Sequence, residues 1–151
     1  MSLVDVFFGS IPFAEHLGIE LETVGEGRAV GRVELREHHS SNPEAMVAHG
    51  GVAYALADTI AGAAVVDLTG AVTPTIDMRI DYLAPATGEC LRAEAAVVRT
   101  GGSVATVDVT VTDGADTRIA EARGVYKTGD VTGETPWTAG VEASADDSNV
   151  E

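Results

Sequence analysis

Lysine is almost missing from this chain: Lys127 is the single one among 9 basic residues, against 24 Asp and Glu, for a formal net charge of -15 over 151 residues. So acidic a balance argues against a nucleic-acid partner, because phosphates are held by clustered Lys and Arg. The acids are scattered rather than run together, except near the C-terminus, so they mark no strip for a basic partner. Scattered acidity beside 45% apolar residues suits a cell interior at high salt, where counter-ions screen self-repulsion; the expected source is a halophilic microbe. Cysteine is equally scarce. Cys90 stands alone, which excludes an internal disulfide framework, and its place in a strand-like run reads as a small core residue. No Cys/His spacing of a metal centre occurs, the set His38, His39, His49 and Asp58 lacks one too, and no metal ligand is assigned. Phosphate-cradling glycine loops, dinucleotide fingerprints and G-x-S-x-G elbows are also absent. No signal peptide is visible, and no apolar run reads as pure enough to cross a bilayer, since Asp58 interrupts the best candidate. The expectation is a cytoplasmic chain with no membrane partner.

What is present begins with "HGGVAYALADTIAGAAV", residues 49 to 65. Ala, Leu and Val fill it, no Pro interrupts it, and Gly70 can stop it. Its apolar residues cover most of the circumference, which is the mark of a core helix. Asp58 in the middle of it is therefore unusual: a buried carboxylate is either satisfied by hydrogen bonds or kept for chemistry. Before this helix, a short helix is predicted over Ser10 to Leu17, capped by Ser10 and stopped by Gly18. Alternation from Arg28 to Arg36, with Ala29, Gly31, Val33 and Leu35 on one face, predicts a half-exposed strand. "EHHSSNPEAMVA" is a polar loop leading to the helix. After the helix come strand-like runs at 75 to 83, with Ile76, Met78, Ile80 and Tyr82 on one face, then 89 to 99, 103 to 112 and 117 to 127, separated by turn signals and expected to form an antiparallel meander. The fold class is α+β: one antiparallel sheet wrapped around one long central helix. Residues 1 to 128 form the domain, and 129 to 151, acidic and without periodicity, are expected to be a disordered tail carrying a loose Trp137.

Three stretches, "PFAEHLGIELETVGEGRAVGRVEL", "HGGVAYALADTIAG" and "TIDMRIDYLAPATGECLRAEAAVVRTGGSVATVDVTVTD", resemble in order the hotdog-fold acyl-CoA thioesterases of the phenylacetic-acid-degradation (PaaI) type. The resemblance covers about residues 10 to 127, and "HGG" followed by "LAD" is its most specific part. It implies hydrolysis of acyl-CoA with no cofactor beyond the coenzyme A of the substrate. Gly50 would present its backbone N–H to the thioester carbonyl, and Asp58 would act as nucleophile or general base. Asn42 would place water or carbonyl, and Thr75 would steady the attacking water. The loop here is one residue longer between Asn42 and His49 than in the usual pattern, so His39 and Ser41 stand beside Asn42 for that role. His49, Gly51, Arg99, Gly102 and Ser103 are the expected substrate-binding residues, with Arg99 toward a coenzyme A phosphate. His49 itself reads first as a helix-start residue bonded to backbone. A hotdog dehydratase or hydratase, or a non-catalytic acyl-CoA-binding module, would share the fold.

Elementary chemistry supports the same residues. A helix N-terminus has free N–H groups and partial positive charge for a developing oxyanion, and Gly50 and Gly51 allow close approach. A carboxylate in an apolar, partly dry setting suits a nucleophile or base. Eight residues separate Gly50 from Asp58, about 12 Å along a helix, so one chain cannot bring both to one carbonyl. A two-fold partner can, which implies a homodimer; the resemblance implies a dimer of dimers, a homotetramer, as well.

Overall fold

In the computed structural model, residues 3 to 129 and 133 to 140 are described. Two short helices, α1 (Leu3–Phe8) and α2 (Pro12–Leu17), precede β1 (Ile19–Gly25) and β2 (Arg28–Glu34). A single 3-10 turn at Glu37–His39 follows, then α3 (Gly50–Thr69), β3 (Thr75–Tyr82), β4 (Cys90–Thr100), β5 (Val104–Asp113) and β6 (Arg118–Lys127). The six strands make one antiparallel sheet in the order β1-β2-β4-β5-β6-β3; the sequence predicts the antiparallel sheet with α3 packed on it and five of the strands, but not β1.

The last four strands are not a simple meander. β4, β5 and β6 are, but β3 pairs with β6 at the far edge and β4 pairs with β2. The cause is α3. Twenty residues of helix reach about 30 Å, enough to carry the chain over the sheet from β2 to the opposite side before β3 begins. Being an edge strand, β3 buries less than its alternation promises. Met78 is buried, Ile80 half-buried, and Ile76 and Tyr82 are 58% and 53% exposed, with a register shift between Thr75 and Asp77.

α3 buries residues around its whole circumference, and Leu56, Ile60 and Val65 pack with Val33, Leu91, Val107, Val111, Ile119 and Tyr126, all fully inside. The closest approach is to β2. A Cβ on Gly31 would lie 2.1 Å from Ile60 Cδ1, so the strand needs glycine there to let the helix down. The helix stops at Gly70, whose φ of 67° is left-handed, as expected of a C-terminal glycine. By length and apolar content α3 does qualify as a membrane span, Asp58 notwithstanding, contrary to the sequence reading; 67% of that window is buried inside the fold.

Near the N-terminus two expectations change. α1 is a helix the sequence pattern does not announce, and it places Val4 in the core. α2 begins at Pro12 with Ile11 as the capping position, so Ser10 lies before the helix and not at its cap. Proline fits the first helical turn because its missing N–H would have no partner there. Gly18, φ 79°, stops α2 as predicted. In the tail, Thr135 and Thr138 close a hydrogen-bonded turn with Trp137 57% exposed; the expected disorder otherwise falls on 130 to 132 and 141 to 151, outside the described residues.

Candidate active site

The polar loop before α3 is held from within. His39 is 2% exposed. Its Nδ1 accepts the Arg36 N–H at 2.9 Å, its Nε2 donates to the Leu17 carbonyl at 2.8 Å, and its own carbonyl accepts the His49 N–H at 2.8 Å. Both ring nitrogens are thus engaged in structure. Burial lowers its pKa, and the nearby His38, Arg36 and His16 add to this against the opposing bond to Leu17. Ser40 Oγ gathers the loop, accepting the N–H groups of Asn42 (3.1 Å) and Val47 (3.2 Å). Asn42 is exposed, and its Oδ1 accepts the Glu44 N–H at 2.9 Å, an Asx turn closed on its own loop. Ser41 donates its N–H to the Val47 carbonyl at 2.8 Å.

That loop delivers His49 to the start of α3 as its cap. Nδ1 of His49 accepts the Gly51 N–H at 2.8 Å, and the His49 carbonyl accepts the Val52 N–H at 2.9 Å. Gly51 is thereby tied up, and the Gly50 N–H is left without a hydrogen-bond partner among the described residues. Gly50 lines a cavity of about 430 Å³ with Ala53, Tyr82, Leu83, Pro85 and Ile119 among its walls. The cavity is mostly apolar, and the orphan amide and the helix's partial positive charge stand at its edge. Tyr82 closes one side: its hydroxyl donates to the Gly50 carbonyl at 2.7 Å, and a Cβ on Gly50 would lie 3.0 Å from the phenol. Partial burial, and then Tyr54, raise the Tyr82 pKa, so the phenol remains a donor.

Two turns further on, Asp58 is half-buried. Its Oδ1 accepts two hydroxyls, Thr75 Oγ1 at 2.7 Å and Tyr126 OH at 2.8 Å; the Tyr126 oxygen also lies 3.0 Å from the Asp58 carbonyl. Oδ2 has no hydrogen-bond partner among the described residues. Thr75 opens β3 and sits opposite Tyr126 of β6, which explains why the two hydroxyls meet. Tyr126 is 1% exposed, and burial first, then the charge and hydrogen bond of Asp58, push its pKa far above the ordinary range. The sequence reading passed over Tyr126. A signal was available: it falls on the inward face of β6 after Ala120, Ala122 and Gly124, and a buried tyrosine needs a partner for its hydroxyl.

The expected residues therefore fall into two groups at opposite ends of the sheet. His49, Gly50 and Gly51 join Tyr82 near the end of β3. Asp58 and Thr75 join Tyr126 at the other end. There the register Thr100, Ala105, Tyr126, Thr75 also places the β4–β5 hairpin with Arg99, Gly102 and Ser103. The hairpin is pinned by Thr128, which donates to the carbonyls of Gly101 (2.8 Å) and Ser103 (2.9 Å). Among the described residues Asn42 hydrogen-bonds to neither group; its bonds stay within its own loop, to Ser40 and Glu44. Among the described residues no three His, Cys, Asp or Glu converge as a metal cage. Chemically, one chain offers an oxyanion-receptive amide beside an apolar cavity and, separately, a clamped carboxylate with one free oxygen.

Comparison with known proteins matches residues 46 to 120 to the family model described as "Thioesterase superfamily". A Halobacterium salinarum protein described as an esterase is 36% identical over 110 residues, covering 70% of this chain and 72% of that one. The medium/long-chain acyl-CoA thioesterase YigI of Escherichia coli K12 is 30% identical over 140 residues, 83% of this chain and 90% of its own. Among solved structures, a mutant form of the phenylacetic acid degradation protein PaaI from Thermus thermophilus superposes with a TM-score of 0.70 at 29% identity, over 78% of this chain and 98% of that one.

Proposed function

Because the chain belongs to the thioesterase superfamily, with its hotdog fold, we propose that it is an acyl-CoA thioesterase of the PaaI type, releasing free acid and coenzyme A without metal or cofactor. The observation that carries the reading is the Asp58 carboxylate, clamped at Oδ1 and, among the described residues, open at Oδ2, on the same helix whose Gly50 amide finds no partner among them beside an apolar cavity.

In the proposed reaction the thioester carbonyl oxygen lies against the Gly50 N–H, where the charge developing on it is stabilised by the amide and the helix dipole. Asp58 of a partner chain then acts in one of two ways. As general base it takes a proton from water while the water oxygen bonds to the carbonyl carbon; as nucleophile it bonds to that carbon itself, and water later cleaves the acyl-enzyme. Either way the C–S bond breaks with its electron pair leaving on sulfur, and coenzyme A departs as thiolate. Two-fold pairing places Gly50 of one chain beside Asp58 of the next, so a homodimer holds two equivalent sites, and a dimer of dimers holds four. The β4–β5 hairpin, on the Asp58 side, offers Arg99 to the coenzyme A phosphates, while the apolar cavity takes an aromatic or short-to-medium acyl group.

A thiol reagent and a panel of acyl-CoA esters, aromatic and straight-chain, test this. Coenzyme A release from at least one aromatic or short-to-medium ester, on the order of 1,000-fold above buffer, is expected. Acyl-CoA bound by folded protein with no thiol released from any ester would leave a binding module in place of the enzyme.

The acidity belongs to the same proposal as an adaptation to a saline cytoplasm. Every ion pair among the described residues uses an arginine on an acid neighbour, and 24 acids far outnumber 9 bases. The screening length falls from about 30 Å at 0.01 M to about 3 Å at 1 M salt, so repulsion that spans the domain in dilute buffer shrinks to near neighbours. The melting temperature is expected to rise across a chloride series, equally for sodium and potassium. A flat or falling melting point would count against a saline habitat.

A further inference from the structure

Free in solution, the two oxygens of an aspartate carboxylate are equivalent. Here they are not. Oδ1 accepts Thr75 Oγ1 at 2.7 Å and Tyr126 OH at 2.8 Å, whereas Oδ2 has no partner among the described residues. The two donors differ in kind. Thr75 is exposed at the start of an edge strand, but Tyr126 is 1% exposed, rooted in the core and fixed by the β5 and β3 strands on either side. Its oxygen also lies 3.0 Å from the Asp58 backbone carbonyl, so the single phenol proton lies between the side-chain and main-chain oxygens of residue 58, nearer Oδ1.

We propose that Tyr126 is the positioning residue of the reaction: it fixes Asp58 by Oδ1 and so makes Oδ2 the oxygen that meets water or the thioester carbon. This rests on the reading of Asp58 as the reactive group. A carboxylate held at one oxygen by a buried donor loses rotation about its side-chain torsions, and the lone pairs of the other oxygen point in a fixed direction. The phenol keeps its proton throughout the working pH range, because burial and the adjacent carboxylate both oppose its ionisation. The ionisable groups acting on that hydroxyl are Asp58 and Tyr54. Tyr54 donates its own hydroxyl to the Met78 carbonyl at 3.0 Å and is spoken for. The phenol donates to the carboxylate and takes no proton itself.

Tyr126→Phe keeps the ring and removes the donor. The expected result is a fall in kcat of about tenfold with KM changed less than about twofold, since the donor that aims the carboxylate is gone while the substrate contacts remain. A merely structural tyrosine would lower the melting temperature and leave kcat per folded molecule in place. Asp58→Asn assayed alongside separates the two readings. Turnover retained in Asp58→Asn overturns the role of Asp58, whereas an inactive Asp58→Asn with a wild-type kcat in Tyr126→Phe overturns the positioning role alone. If Tyr126→Phe does not fold, 3-fluorotyrosine incorporated into a Tyr54→Phe, Tyr82→Phe background keeps the ring and makes a stronger donor. Against the same background with ordinary tyrosine, kcat should then change by more than about twofold while KM and the melting temperature stay, and an unmoved kcat overturns the proposal.

Discussion

Asp58→Asn is expected to lose turnover by about two orders of magnitude or more while the protein stays folded. Asparagine has the same shape, and its Oδ1 can still accept the hydroxyls of Thr75 and Tyr126 that the aspartate accepts at 2.7 and 2.8 Å. What changes is the other position, where an amide nitrogen with no available lone pair replaces the free oxygen. The variant is therefore expected to keep its packing and to lose the group proposed either to attack the thioester or to take the proton of water. Thiol release under saturating acyl-CoA, together with a melting curve close to wild type, checks both halves. Hydrolysis near the wild-type rate by purified variant would remove Asp58 from the reaction.

The second large effect concerns assembly. Gly50 and Asp58 stand at opposite ends of the sheet within one chain, about 12 Å apart along α3, and the proposed site needs one from each of two chains. Gly50→Val should inactivate on its own. A Cβ there already lies 3.0 Å from the Tyr82 phenol, and the branched side chain would fill the space in front of the amide. Mixed in equal amounts, unfolded and refolded together, Gly50→Val and Asp58→Asn chains form half of all dimers as heterodimers. Each of these carries one doubly altered and one intact site. Activity should return from the low level of either parent to roughly a quarter of wild type by this statistical count. A mixture no more active than its parents, with heterodimer verified by native mass spectrometry, would show that each site is built within a single chain.

Much of the architecture was legible in advance because it depends on local rules. The all-round apolar run after His49 could only be a core helix, and it is. Gly18 and Gly70 stop helices in left-handed conformations where the sequence put them. Alternation at Ala29, Gly31 and Val33 marked the inward face of β2, all three of which are buried. The errors were of another sort. Ser10 is a good capping residue by type, but Pro12 fixes the first turn one position later than a Ser10 cap would. The strand-like runs after α3 look like a meander because consecutive strands usually pair; the length of α3 overrides that and sends β3 to the far edge.

The sequence by itself determined most of the elements, though not α1 or β1, and with them the core helix and an acid within it, because periodicity, capping and turn chemistry act over a few residues. Tertiary structure decided which groups meet. Tyr126 lies 68 positions from Asp58 and reaches it only because β6 lies beneath the helix and beside β3. His39 offered itself as a site residue, yet folding spends both its ring nitrogens on Arg36 and Leu17. His49 turns its Nδ1 to the Gly51 amide, so that among the described residues only Gly50 of these two neighbouring glycines keeps an open N–H. A hydrogen bond consumes a donor or acceptor that the sequence can only count. Which ones remain free for a substrate is fixed by the long-range pairings that bring distant side chains within 3 Å of each other.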